Sequence, residues 1–210
     1  MPINATQHAP KTQQAAPPAD RILEVREISV TYSARGRPGK VAIENVSFDV
    51  RRGEFLAIVG PSGAGKSTLL RCIAGLMHPT AGSVVLNGEQ ISRPPRALAM
   101  VFQEYGRSLL PWFTNEQNVA LPLRNLGVGR REAAQRSREA MLAVAIDESA
   151  WRQHPWQLSG GMQQRIAIAR AIAYDADLLV MDEPFASVDA QTRLELEDLK
   201  SLRTWGSKTP

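Results

Sequence analysis

The chain is short of cysteine, histidine and long apolar runs, and each shortage narrows what it can be. Cys72 is the one cysteine in 210 residues, so no intrachain disulfide can form, in keeping with a reducing compartment. There are three histidines. His8 lies in a polar leader, and His78 and His154 each precede a proline in turn-like contexts, a poor basis for a metal site. No apolar run approaches the roughly 20 residues that a membrane span needs. The N-terminus also lacks the apolar core of a secretion signal. A soluble protein is therefore expected, with any membrane link running through a partner. The formal net charge of +4 is small and scattered. The densest basic stretch, residues 130–138, is interrupted by Glu132 and reads as a solvated helix face, so no nucleic-acid partner is expected.

What is present reads as one α/β domain with an insert. Hydrophobic residues make up 43% and charged residues 22%, an ordinary globular balance. Residues 1–20 are rich in Pro, Gln and Ala without apolar periodicity and are expected to be a disordered leader. Residues 22–32 and 41–50 read as strands, with a loop at 33–40 and a turn at 51–53. The short apolar run 54–59, ending in glycine, suits a buried strand of a parallel sheet. Residues 66–76 have helical spacing. Residues 83–86 and 98–102 are strand-like, with Asn87-Gly88 as a turn between them. From 115 to 145, Ala, Arg, Glu, Gln and Leu dominate, which favours an inserted helical segment. A helix at 161–173, a buried strand at 178–181 and an amphipathic helix at 190–202 complete the order.

Residues 60–67, Gly60-Pro61-Ser62-Gly63-Ala64-Gly65-Lys66-Ser67, fit G-x-x-x-x-G-K-[ST]. Glycines let the backbone curl so that its N–H groups point at a polyphosphate, and the following helix aims its positive end at the same anion. Lys66 is then placed for the β and γ phosphates, and the Ser67 hydroxyl for Mg²⁺. A bare strand-to-helix turn would need neither residue. Residues 178–183, Leu178-Leu179-Val180-Met181-Asp182-Glu183, form an apolar strand ending in two carboxylates. In an open α/β sheet such a strand end faces the ligand crevice. Asp182 is placed to hold Mg²⁺, directly or through water, and Glu183 to polarise a water for attack on the γ phosphate.

Residues 158–165, Leu158-Ser159-Gly160-Gly161-Met162-Gln163-Gln164-Arg165, resemble the signature motif of ATP-binding cassette (ABC) proteins. With the phosphate loop and the acidic strand end, the resemblance covers residues 22–209. It implies a P-loop NTPase with a mostly parallel core sheet, an antiparallel β subdomain and an inserted helical subdomain at about residues 104–174. It implies ATP and Mg²⁺ as ligands, the loop through Thr68 as the cradle, and Tyr32 as the aromatic stacked on adenine. Gln103 resembles the glutamine that contacts Mg²⁺ and the attacking water. Ser159, Gly160 and Gly161 resemble the residues that reach the γ phosphate held by a second ATP-binding subunit, which implies a homodimer of this chain. Ser187 and Asp189 are similar to the D-loop. The stretch Ser108-Leu109-Leu110-Pro111-Trp112 resembles cassettes of nitrate, sulfonate and taurine importers, where this surface receives a transmembrane permease. A periplasmic or surface solute-binding protein is then an indirect partner, and the chain is expected at the cytoplasmic face of the cell membrane.

The family pattern continues past the D-loop into a further strand that ends in a histidine contacting the γ phosphate. No histidine follows His154 here, and residues 208–210 stand where that strand begins. On the resemblance, an incomplete C-terminal end is expected, with strand 178–181 short of a neighbour and hydrolysis short of one contact. Two other readings stand beside the importer ATPase. One is a nucleotide-binding remnant with little turnover. The other is a soluble ABC ATPase outside transport, against which stands the lack of a second cassette, a long coiled coil or zinc motifs.

Overall fold

The structure is a computed structural model and describes residues 20–34 and 37–182. Expectations placed on residues 1–19, on Glu183, Ser187 and Asp189, and on the helix at 190–202 lie outside the described residues. The chain divides into two compact units, residues 1–98 and 99–210.

The first unit is built on an antiparallel sheet of order β2-β1-β3-β4. Its strands are β1 (Arg21–Ala34), β2 (Arg37–Arg51), β3 (Ala81–Leu86) and β4 (Glu89–Gln90), with helix α1 (Lys66–Ile73) between β2 and β3. Two irregularities explain why alternation along β1 and β2 is only partial. Leu23 and Val25 are buried, then Ile28 and Val30, so the phase slips between Val25 and Ile28. Glu27 sits in that slip at φ 48°. Asn45 at φ 47° lies between the buried Ile43 and Val46 of β2. Serines on the opposite strand secure both: Glu27 N–H donates to Ser47 Oγ at 2.7 Å and Asn45 N–H to Ser29 Oγ at 3.0 Å. Each extra residue restores the inward face after the slip, as a β-bulge does. The cross-strand partners then meet in register, Leu23 with Val50 and Leu86, Val25 with Phe48 and Val84.

Helix α1 buries Leu69, Cys72 and Ile73, the i, i+3, i+4 stripe of an amphipathic helix. It ends three residues short of the expected 76. Gly75 adopts φ 69°, and its N–H and that of Leu76 turn back to Cys72 and Arg71 carbonyls. This is a Schellman stop, which glycine enters without Cβ strain. Burial pushes the Cys72 thiol pKa up, so it serves as apolar filler rather than a nucleophile.

Three further expectations are corrected in this unit. Residues 33–40 are largely strand, because β1 runs to Ala34 and β2 starts at Arg37. Asn87-Gly88, at φ 51° and 82°, turns β3 back into β4 rather than towards the strand at 98. Residues 54–59 are not a buried strand. They carry no regular structure, and Phe55 and Val59 are 88% and 83% exposed. A short apolar run becomes a strand only when another strand satisfies its backbone. Neither described sheet includes these residues.

The second unit contains β5 (Leu98–Val101), α2 (Tyr105–Ser108), α3 (Asn115–Asn125), α4 (Arg130–Ala143), α5 (Glu148–Trp151), a 3₁₀ turn at Pro155–Gln157, α6 (Gly160–Tyr174) and β6 (Leu178–Met181). Strands β5 and β6 are neighbours in a two-stranded sheet. The core centres on α6, where Ile166, Ala167, Ile168, Ala169, Ala171 and Ala173 are buried against Val119 and Leu123 of α3 and Ala140 and Met141 of α4. Helix α3 opens with a capping box: Gln117 N–H donates to Thr114 Oγ1 at 3.3 Å, and Thr114 N–H to Gln117 Oε1 at 3.0 Å.

Asn118, fully buried on α3, fastens the segment before the helix. Its Oδ1 accepts from Leu110 N–H at 2.7 Å, and its Nδ2 donates to the carbonyls of Leu110, Phe113 and Thr114. Asn118→Ala leaves those backbone groups short of partners and is expected to cost roughly 2–4 kcal/mol. Urea unfolding checks this, and a loss below about 1 kcal/mol contradicts the fastening role.

Candidate nucleotide site

In the first unit the site is a turn of backbone at the mouth of α1. Gly63 and Gly65 take φ 77° and 97°, a region that disfavours side chains. Around Gly63 the space is open, whereas a Cβ on Gly65 would collide with the Ala42 carbonyl of β2. The buried Ala64 donates its N–H to the Pro61 carbonyl at 3.3 Å and closes the turn. Lys66 bends back over the loop, its Nζ donating to Gly60 O at 2.9 Å and Pro61 O at 3.1 Å. Ser62 is exposed, and Ser67 and Thr68 stand half-buried in the first turn of α1. The glycine cradle, the folded-back ammonium and the helix start together fit a polyphosphate tail.

Tyr32 of β1 comes to the same place. Its hydroxyl hydrogen-bonds Thr68 Oγ1 at 3.0 Å and also approaches Met77 Sδ at 3.7 Å, while 43% of the residue stays exposed. The tyrosine expected to meet a base thus adjoins the residue after Ser67.

In the second unit, Asp182 follows β6 and its N–H donates to the Val101 carbonyl of β5 at 3.0 Å. Gln103 leaves β5 two residues later, so the two side chains emerge from neighbouring strand ends. Asp182 is 5% exposed, whereas Gln103 is open to solvent. A carboxylate and an amide oxygen are hard donors of the kind that Mg²⁺ takes. Ser159 caps α6, its Oγ accepting the Met162 N–H at 3.3 Å. Gly160 is exposed and Gly161 half-buried with no atom near its would-be Cβ, so this helix start is accessible to an anion.

The stretch 108–112 differs from a uniformly exposed apolar loop. Leu109 is buried in the core and Leu110 is gripped by Asn118, which leaves Trp112, 68% exposed, as the outward residue. Sequence reasoning missed Arg170 of α6. It donates to Ser108 O at 2.6 Å and Ser108 Oγ at 2.9 Å, and burial lowers its pKa below the usual guanidinium value. A signal existed: one cation in the apolar run Ile166 to Ala173 needs a partner once the helix is buried.

The ABC transporter family matches residues 43–186, more than half of the chain. The chain belongs to the ABC transporter family. It is 42% identical over 185 residues to an uncharacterised ABC transporter ATP-binding protein of Methanocaldococcus jannaschii, covering 87% of this chain and 67% of that protein. It is 43% identical over 178 residues to a taurine import ATP-binding protein of Rhizobium johnstonii, covering 85% of this chain and 67% of that one. The chain therefore spans about two thirds of the length of these curated relatives. Among solved structures, the dimeric post-hydrolysis state of the ATP-binding cassette MJ0796 bound to ADP and Pi matches at TM-score 0.79 and 32% identity, covering 90% of this chain and 85% of that one. The fold is that of an ABC ATPase cassette, a P-loop NTPase of the α/β class.

For this ABC cassette the geometry separates Gly65, which the phosphate-loop motif fixes, from Gly63, which stands at one of its free positions. Gly63→Ala meets only the cost of a left-handed residue, about 1–2 kcal/mol. Gly65→Ala adds the collision with Ala42 and is expected to distort the loop. Thermal unfolding and nucleotide titration of both variants check the order. Equal losses in the two would contradict it.

Proposed function

We propose that the chain is the ATP-binding and ATP-hydrolysing subunit of an ABC importer. The observation that carries this is the glycine cradle at Gly63 and Gly65 with Lys66 folded over it, in a chain of the ABC family. Lys66 binds the β and γ phosphates, and the Ser67 hydroxyl, the Gln103 amide oxygen and the Asp182 carboxylate hold Mg²⁺. Mg²⁺ supplies neutralisation of the phosphate charge when bound. Tyr32 lies against adenine, and the backbone from Gly60 to Thr68 wraps the phosphates. Glu183, one residue beyond Asp182, takes up proton density from the attacking water. Ser159, Gly160 and Gly161 of one copy meet the γ phosphate bound by a second copy, so two ATP-binding subunits close around nucleotide.

The subunit acts at the cytoplasmic face of the membrane, held there by transmembrane permease subunits that dock near Trp112. None of the described helices is long and apolar enough to cross a membrane. A small sulfonate such as taurine, nitrate or a similar solute is the cargo, delivered by a separate solute-binding protein. This rests on the Ser108 to Trp112 stretch and on the taurine importer relative.

Two variants test the assignment. Lys66→Ala is expected to weaken Mg·ATP binding roughly 10–100-fold, the range of a lost charge-assisted contact. Calorimetric titration measures it, and unchanged affinity removes Lys66 from the site. Glu183→Gln is expected to keep ATP affinity and lower turnover by about 10²–10⁴, the usual share of a general base. Steady-state ATPase assays of chain and variant decide this, and equal rates rule out Glu183 as the base.

A further inference from the structure

The helix that begins at Ser159 approaches the segment that leads to Trp112 at two points and is bonded to it at one. Near its start, Gln163 lies beside Gly106 of α2: its Oε1 would sit 3.0 Å from a Cβ placed there. Gln163 is itself fixed by donating from Nε2 to the Leu158 carbonyl at 3.2 Å. Two turns further along α6, Arg170 reaches Ser108 with both arms of its guanidinium, one on the carbonyl and one on the hydroxyl. A planar fork on two acceptors of one residue fixes orientation as well as distance, which a single flexible donor does not. Beyond Ser108, Leu109 is buried and Asn118 grips Leu110, Phe113 and Thr114, so the segment has little slack before Trp112. A displacement of α6 along its axis therefore has to move Ser108, or break its two bonds to Arg170.

We propose that Arg170 is a positioning residue that couples the Ser159 end of α6 to the segment 109–113 that carries the exposed Trp112, so that nucleotide engaged at the helix start is felt where a membrane partner docks. The proposal rests on the functional reading above, in which the Ser159 end meets nucleotide. The two hydrogen bonds that Arg170 makes to Ser108 involve no nucleotide-binding residue named here, so its role is separable from binding.

Hydrogen exchange at the amides of Leu109, Leu110, Trp112 and Phe113 within residues 109–113, with and without Mg²⁺ and a non-hydrolysable ATP analogue, tests this on the full chain. In the wild type the analogue is expected to change exchange at these amides. Arg170→Lys keeps the charge but loses the fork. It should bind the analogue with unchanged affinity, speed basal exchange at 109–113 roughly tenfold, as loss of one charge-assisted bond allows, and abolish the nucleotide-dependent change. Ser108→Ala should reduce the same response, and the double variant should be no worse than Arg170→Lys, since both act through one contact. A variant that is merely less stable would exchange faster yet keep its response to nucleotide. A wild-type response retained by Arg170→Lys overturns the proposal, as does analogue binding by the wild type with no change at 109–113. Should Arg170→Lys fail to fold, Ser108→Ala decides: a reduced response supports the coupling and a full one overturns it. Failure of the wild type to bind the analogue overturns the functional reading itself, and the coupling with it.

Discussion

Backbone N–H groups can grasp a phosphate only where the chain turns tightly with no side chain in the way, and in the first unit that condition comes down to Gly65 against Ala42. The left-handed turn at Gly65 brings the loop backbone close to the β2 carbonyl, nearer than any Cβ would allow. From that turn α1 departs, Lys66 folds back over Gly60 and Pro61, and Thr68 meets the Tyr32 hydroxyl. Moving this one contact would shift the ammonium, the Ser67 hydroxyl and the tyrosine together. The sheet behind it is kept in register by bulges at Glu27 and Asn45, each secured by a serine of the opposite strand.

The second unit depends on α6 in a comparable way. Alternating alanines at 167, 169, 171 and 173 let α3 and α4 come close to a helix that is buried over most of its length. Two of its polar demands are met at defined points. Arg170 is satisfied by Ser108, and the carbonyl of Ala173 near its C-terminus accepts from Arg136 at 3.0 Å, a cation where the helix dipole favours one. Its N-terminus, capped by Ser159 and followed by two glycines, is left open. A helix with one open polar end suits reversible contact with an anion.

Much of this was legible in the residues. Glycines at 63 and 65 announced the curled loop and the apolar run before Asp182 a strand, because each signal is local chemistry, whereas Gly75, which stops α1, was read into the helix. The phases of β1 and β2 were harder, since a bulge shifts the period by one and sequence shows only broken alternation. Residues 54–59 were misread because their strand character belongs to a partner strand rather than to the run itself. Asn118 and Arg170 escaped because their partners, Leu110 and Ser108, are chosen by tertiary packing. Yet a lone cation within Ile166 to Ala173 was a legible demand for such a partner.

The central claim is that the loop at residues 60–68 grips the terminal phosphates of a nucleotide. It is tested most directly by comparing equilibrium binding of ATP, ADP and AMP to the wild-type chain, with and without Mg²⁺. Adenine and ribose are common to all three ligands, so differences among them report the phosphate grip alone. The account predicts that ATP and ADP bind, that Mg²⁺ strengthens ATP binding, and that AMP binds far more weakly. Equal affinity for AMP and ATP, or ATP binding indifferent to Mg²⁺, would contradict it.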